Sequence, residues 1–312
     1  MSHLKKKIAI IGTGAVGGYY GGLLQKSGFN VHYLLHHDYD YVRHNGLKIE
    51  SPNGDVQLPK VNAYNDPEKM PGCDLVIVAL KTTANDYLSE ILPQVLKNQG
   101  VVLTLQNGLG SEKQIASIVG PDRVLGGLCF LCANKIAPGH IRHLDYGLIT
   151  LGEYRSDEKP GGLTPRLETL GADMTFAGLS IQLIDDLPLA RWKKLVWNIP
   201  FNGLSVIKNS MTDILVKDPP TRALCKTLMN EVADAAEACT RQIDPAFINK
   251  MLEDTEKMKP YAPSMKLDFD RGNPMEIESI YGNPLRAAKT QGVFMPETEK
   301  LYSQLLALNP SA

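Results

Sequence analysis

Apolar positions in the first half of the chain switch repeatedly between two periods. Short runs rich in β-branched residues at 7–11, 31–35, 75–80 and 101–105, with later ones near 124–131 and 147–151, predict strands. Between them, 15–26 and 84–97 repeat apolar residues at helical spacing. This alternation predicts an α/β, doubly wound sheet with parallel strands. A polar excursion from Glu50 to Lys60 predicts a β-hairpin turning at Pro52-Asn53-Gly54. A loop at 157–162 and a short helix from Pro165 to Gly171 follow. From about Asp185 the texture changes to long helical patterns, at 187–209, 219–242, 245–258, 276–291 and 296–307. The expected division is therefore an alternating domain over 1–184 and a mostly helical one over 185–312.

The first β–α junction carries the clearest chemistry. The run Ile8 to Ile11 stops at Gly12-Thr13-Gly14-Ala15-Val16-Gly17, a helix follows, and a second strand begins at Val31. Strand, glycine turn, helix and strand within about thirty residues is the context in which G-x-G-x-x-G signifies dinucleotide binding. Gly12 permits the tight turn, Gly14 lets backbone approach a pyrophosphate, and Gly17 lets helix and strand pack closely. The helix N-terminus offers N–H groups and a positive dipole end. The bland alternative is a glycine-rich turn with no ligand. Two further strand ends lead into Lys81-Thr82-Thr83 and Gln106-Asn107-Gly108, at carboxyl ends where side chains reach a cofactor. A solvated lysine and a turn asparagine are the ordinary readings of those two residues. The second strand closes on His36-His37-Asp38. With no acid at the strand end itself, the pattern leans to NADP, the histidines meeting a 2′-phosphate, with NAD and an Asp38–ribose bond as the alternative.

Composition narrows the partners. The chain has 312 residues, 43% hydrophobic and 21% charged, with a formal net charge of −1, which gives no footprint for nucleic acid or an anionic membrane. The longest apolar runs, such as LVIVAL between Asp74 and Lys81, are too short to span a bilayer. A basic start running directly into the glycine turn argues against a signal peptide, so a cytoplasmic location is expected. The five cysteines are too scattered for a disulfide framework, Cys129-Phe-Leu-Cys132 is formally C-x-x-C but reads as two buried hydrophobes with a redox pair as the alternative, and no metal site is expected.

The second half opens with PLARWKKLVWNIPFNGLSVI, in which Lys194, Asn198 and Asn202 are spaced i, i+4, i+8 and share one helix face. A cation and two amides on an otherwise apolar helix face either solvent or a ligand. Pro200 falls between the asparagines and should bend the helix. The segments GTGAVG (12–17), LKTTAND (80–86), LQNGLG (105–110), ANKIAPGHI (133–141), WKKLVWNIPFN (192–202) and PSMKLDFDRGNPMEIESIYG (263–282), in that order, resemble the ketopantoate reductase family over nearly the whole chain.

The resemblance implies a Rossmann-type doubly wound N-terminal domain with a helical C-terminal domain like that of 6-phosphogluconate dehydrogenase. It implies NADPH-dependent reduction of 2-dehydropantoate to pantoate, in pantothenate and coenzyme A biosynthesis. By position, Gly12 to Gly17 match the phosphate-binding turn, and Lys81, Asn107 and Ala133 the cofactor-lining strand ends. Lys194 matches the catalytic lysine, Asn198 and Asn202 substrate-binding asparagines (with Asn107 also at the substrate), and Ser264 the carboxylate contact. Glu276, which follows Pro274 into the first turn of a helix, matches the acidic site residue at catalytic centre and cofactor. Two positions depart: His36 stands where an arginine usually meets the 2′-phosphate, and Thr212 where some members place a further asparagine. The partner implied is a small 2-oxo acid, and the helical domain leaves room for a homodimer. The competing readings are a paralogous reductase of another 2-oxo acid and a non-catalytic dinucleotide sensor.

Overall fold

The computed structural model describes residues 6–309. The chain packs into two compact units. The first runs to Gln106 and resumes over Ser111–Leu187; the second takes Asn107–Gly110 and everything from Pro188 onward.

The first unit runs β1 (Lys7–Ile11), α1 (Ala15–Lys26), β2 (Asn30–Leu34), α2 (Tyr39–Asn45), β3 (Leu47–Glu50), β4 (Val56–Leu58), β5 (Asn62–Tyr64) and β6 (Cys73–Val78). It continues with α3 (Leu88–Val95), β7 (Leu96–Thr104), α4 (Ser111–Val119), β8 (Val124–Ala137), β9 (His140–Glu153), α5 (Pro165–Phe176) and β10 (Ser180–Leu183). Its sheet is ordered β4-β3-β9-β8-β7-β6-β1-β2-β5, with β10 pairing on β9. Successive residues of β1 point to opposite faces. Ile8 and Ile10 join the core under α1, while Ala9 and Ile11 join the core under α3 and α4. Helices on both faces bury the strand twice over, which is why it reads as one apolar run.

The sheet is mixed rather than parallel throughout. β8 and β9 form a long antiparallel hairpin, Ala137 facing His140, and β3 and β4 a shorter one. The Pro138-Gly139 link is two residues, far too short for the crossover a parallel pair needs, and Gly139 takes φ +63°. The helix expected over 84–97 is a 3₁₀ turn at Thr82–Tyr87 followed by α3, and β7 begins at Leu96. Buried Asn85 explains the tighter turn: its amide is held by Gln106 and Gln114, so tertiary bonds override helical periodicity. Cys129 and Cys132, three apart on β8, face opposite sides of the sheet and form no disulfide.

The second unit is helical: α6 (Leu187–Ile207), α7 (Thr212–Lys217), α8 (Pro219–Ala238), α9 (Pro245–Lys257), α10 (Ser264–Asp270), a π turn (Glu278–Gly282), α11 (Asn283–Thr290) and α12 (Pro296–Leu308). Its core draws Leu195, Val196, Ile199, Met229, Val232, Ile280, Tyr281 and Leu305 from four of these elements. α6 runs unbroken through Pro200. Fully buried Tyr281 donates its hydroxyl to the Ile199 carbonyl at 2.8 Å, and burial raises the phenol well above its ordinary pKa, so it stays a donor. Among the described residues no helix is long and apolar enough to cross a membrane.

One buried carboxylate joins two of these helices. Glu231 of α8 accepts the N–H groups of Glu297 and Thr298 at 2.8 Å each and the Thr298 hydroxyl at 2.7 Å. It thereby caps α12, whose own N-cap residue Met295 has no side chain for the task. Glu231→Ala is expected to lower unfolding free energy by about 2–4 kcal/mol, with Glu231→Gln losing less, as read from denaturant melts.

Candidate active site

At the end of β1 the chain passes so close to its neighbours that two glycines are sterically required. Gly12 takes φ +95°, and a Cβ there would lie 2.5 Å from the Leu80 amide nitrogen. A Cβ on Gly17 would lie 2.2 Å from the Gly12 carbonyl oxygen and 3.2 Å from Ala79 Cβ. Gly14 is different: a Cβ there would meet nothing within 4 Å. It is the N-cap of α1 and brings no capping side chain, and the first turn, opened by half-buried Ala15 and Val16, holds no acid. Thr13 ties this turn to the end of β2 through a 3.4 Å bond from its hydroxyl to the Leu34 carbonyl. The first N–H groups of such a helix have no intrahelical acceptor, and open space lies beside the N-cap. That combination fits a diphosphate.

Beyond β2, His36 and His37 are exposed, their rings 4.0 Å apart at 72°. Asp38 has a structural task, carried by its Oδ2. It is buried, accepts the Gly139 N–H at 3.0 Å and pairs with Lys135, so it braces the β8–β9 turn. Lys81 is half-buried immediately before the 3₁₀ turn. The backbone leading to it is held by a buried amide relay that the sequence reading passed over. Gln106 Nε2 donates to the Leu80 carbonyl at 3.0 Å and to Asn85 Oδ1 at 2.5 Å, and Asn85 donates on to Gln114 at 2.9 Å. Two of its amides stand in LKTTAND and LQNGLG, Asn85 four residues after Lys81 and Gln106 directly before Asn107. Ala133 is half-buried on β8, opposite His143.

In the second unit, α6 buries Trp192, Leu195, Val196 and Ile199. Its polar stripe is not a solvated face. Asn198 is 5% exposed and Asn202 2%, with Lys194 half-buried one turn before Asn198. Asn202 Oδ1 accepts the Met265 N–H at 3.2 Å, which fastens the start of α10, and with it half-buried Ser264, to α6. One acceptor site of the Asn202 oxygen is thus used, and its NH₂ is the donor it would offer a ligand. At the departure noted above, Thr212 is fully buried and donates its hydroxyl to the Tyr261 carbonyl at 3.2 Å.

Glu276 is 4% exposed, unlike an ordinary first-turn glutamate, and it precedes the π turn rather than opening a regular helix. The Ser279 hydroxyl donates to its carbonyl at 3.3 Å. Asn107, half-buried, heads a loop bonded to this same segment, the Leu109 N–H reaching the Ser279 carbonyl at 2.8 Å. The second unit therefore gathers the sequence-selected residues into an α6 stripe tied to Ser264 and a loop bearing Asn107 tied near Glu276. The glycine turn, His36, Lys81 and Ala133 belong to the first unit.

A glycine-turn α/β unit followed by a helical unit with a lysine and buried amides on one helix is the plan of a two-domain Rossmann-type oxidoreductase. The family models "Ketopantoate reductase PanE/ApbA" and "Ketopantoate reductase PanE/ApbA C terminal" match residues 8–156 and 186–309. The 2-dehydropantoate 2-reductase of Nostoc sp. is 54% identical over 305 residues, covering 98% of this chain and 96% of that one. The crystal structure of the 2-dehydropantoate 2-reductase from Geobacter metallireducens superposes with a TM-score of 0.93 at 42% identity, covering 96% of this chain and 99% of that one. That of the Methylococcus capsulatus enzyme gives 0.86 at 32%, covering 97% and 96%. The chain belongs to the ketopantoate reductase family.

Proposed function

We propose that this protein reduces 2-dehydropantoate to pantoate with NADPH, by hydride transfer to the C2 carbonyl carbon, in pantothenate and coenzyme A biosynthesis. The observation that carries the reading is the α6 stripe, half-buried Lys194 with buried Asn198 and Asn202, fastened to Ser264 through Met265. An apolar helix tolerates buried amides of this kind where they serve a polar ligand.

When bound, the reduced nicotinamide supplies the hydride. Negative charge then builds on the C2 oxygen, where the Lys194 ammonium stabilises it and delivers the proton as general acid. Asn198 and the NH₂ of Asn202 orient the substrate, and Ser264 donates to its carboxylate. Glu276 contributes a carboxylate acceptor at the same centre. Residues Gly12 to Gly17 hold the pyrophosphate, and Lys81, Asn107 and Ala133 line the cofactor. His36 takes the 2′-phosphate. The engagement of Asp38 by Lys135 and Gly139 supports this choice, because it commits one oxygen of the nearest acid to the β8–β9 turn.

Initial rates with NADPH and NADH across a panel of 2-oxo acids test the proposal. The expected result is the highest kcat/KM for 2-dehydropantoate with NADPH. Turnover confined to another oxo acid retires the substrate, and equal use of NADH retires the cofactor preference. His36→Arg is expected to lower KM for NADPH by up to about tenfold while leaving NADH unchanged, since a guanidinium bonds phosphate more strongly than an imidazole.

A further inference from the structure

The loop Asn107–Gly110 is held by a device that begins with a proline. In a π turn each carbonyl accepts from the N–H five residues on. The Glu278 carbonyl does so, from the Asn283 N–H. The next carbonyl, that of buried Ser279, would require the N–H of residue 284, which is proline and has none. A buried carbonyl needs a donor. The Leu109 N–H fills that position at 2.8 Å.

The other polar group of Leu109 is taken by the following residue of the helix. Asn283 Nδ2 donates to the Leu109 carbonyl at 2.7 Å. The amide is oriented by Arg286, whose Nη2 donates to Asn283 Oδ1 at 2.7 Å and to Glu278 Oε2 at 2.7 Å. A guanidinium only donates, so the amide oxygen faces it and the NH₂ faces Leu109. Both glycines beside Leu109 leave room for these contacts. A Cβ on Gly108 (φ +83°) would sit 2.2 Å from the Ser279 oxygen, and one on Gly110 (φ +98°) 2.8 Å from Asn283 Nδ2.

We propose that Asn283 is a positioning residue for the reduction: together with the Ser279 carbonyl, which accepts the Leu109 N–H, it clamps Leu109 and so fixes Asn107 in register with Glu276. The inference rests on the reading of Asn107 and Glu276 as site residues. Asn283 itself touches neither reactant. Its effect passes through the placement of Asn107, and displacement of a contact residue by about 1 Å is enough to reduce a rate a hundredfold.

Asn283→Asp keeps an oxygen for Arg286 and turns the Leu109-facing donor into a second oxygen. Pro284→Ala gives Ser279 a competing N–H. At pH 7, each is expected to lower kcat/KM for 2-dehydropantoate with NADPH, N283D by about 10–100-fold, with Tm within a few degrees of wild type. In N283D the Leu109 amide should exchange hydrogen at least about tenfold faster, because it loses half of its clamp. In an Asn107→Ala background, N283D should add less than about twofold, since one residue acts through the other. N283D and P284A both within twofold of wild type, or losses from N107A and N283D that multiply, overturn the clamp while leaving the site reading in place. Wild-type kcat/KM in N107A alone overturns the site reading beneath it. Should N283D fail to fold, P284A decides by the same limits.

Discussion

Lys194→Ala is expected to lower turnover by roughly 10²–10⁴ while NADPH still binds within about threefold of wild type. The ammonium is assigned two tasks at one oxygen, stabilising charge as it develops and supplying the proton that ends the reaction. Lys194→Arg separates them. Arginine keeps the positive charge but scarcely releases a proton, so it should recover part of the electrostatic contribution and little of the acid catalysis. Steady-state kinetics with 2-dehydropantoate, paired with NADPH fluorescence titration, provides both readouts. Turnover of the alanine variant within a factor of a few of wild type removes Lys194 from the role. The neighbouring apolar residues Leu195 and Val196 are buried, so the alanine variant should melt close to wild type.

The glycine turn gives the second large effect, split between two positions two residues apart. At Gly12, alanine meets both a left-handed φ of +95° and backbone 2.5 Å away, which together amount to about 2–6 kcal/mol. Gly12→Ala should therefore lower Tm sharply and abolish cofactor binding with it. At Gly14 the φ is −82° and an added methyl group meets no protein atom within 4 Å. Gly14→Ala should leave the melting curve nearly unchanged, yet weaken NADPH binding by roughly tenfold to a hundredfold, because the methyl occupies the side a pyrophosphate approaches. Calorimetry and cofactor titration on the two variants measure this contrast. Unaltered NADPH affinity in Gly14→Ala would show that the phosphates bind elsewhere.

The first unit was legible where local pattern and tertiary role agree. The β1–α1–β2 segment follows from glycine spacing, since each of Gly12 and Gly17 answers a close approach that only glycine allows. Sheet pairing was not legible where it depends on a link rather than on periodicity. Apolar runs near 124–131 and 147–151 look alike in parallel and antiparallel strands, and only the Pro138-Gly139 turn tells them apart. The short elements α2, β5 and β10 carry too few residues for a period to show. In the second unit the i, i+4, i+8 stripe was visible, but its burial was not, because spacing selects a face without saying what covers it. The bond from Met265 to Asn202 joins residues 63 apart in sequence and has no local signature.

Leu109 packs into the core of the helical unit although β7 and α4, which flank its loop, belong to the first unit. No single scission of the chain can then yield two self-sufficient pieces. A fragment stopping at Leu187 would carry away an apolar side chain whose core companions lie downstream, and one starting at Pro188 would open a void there and lose the Leu109 N–H bond to the Ser279 oxygen. Each half should be partly unfolded in isolation and should recover when the two are mixed, so that complementation, rather than dissection, is the way to study them apart.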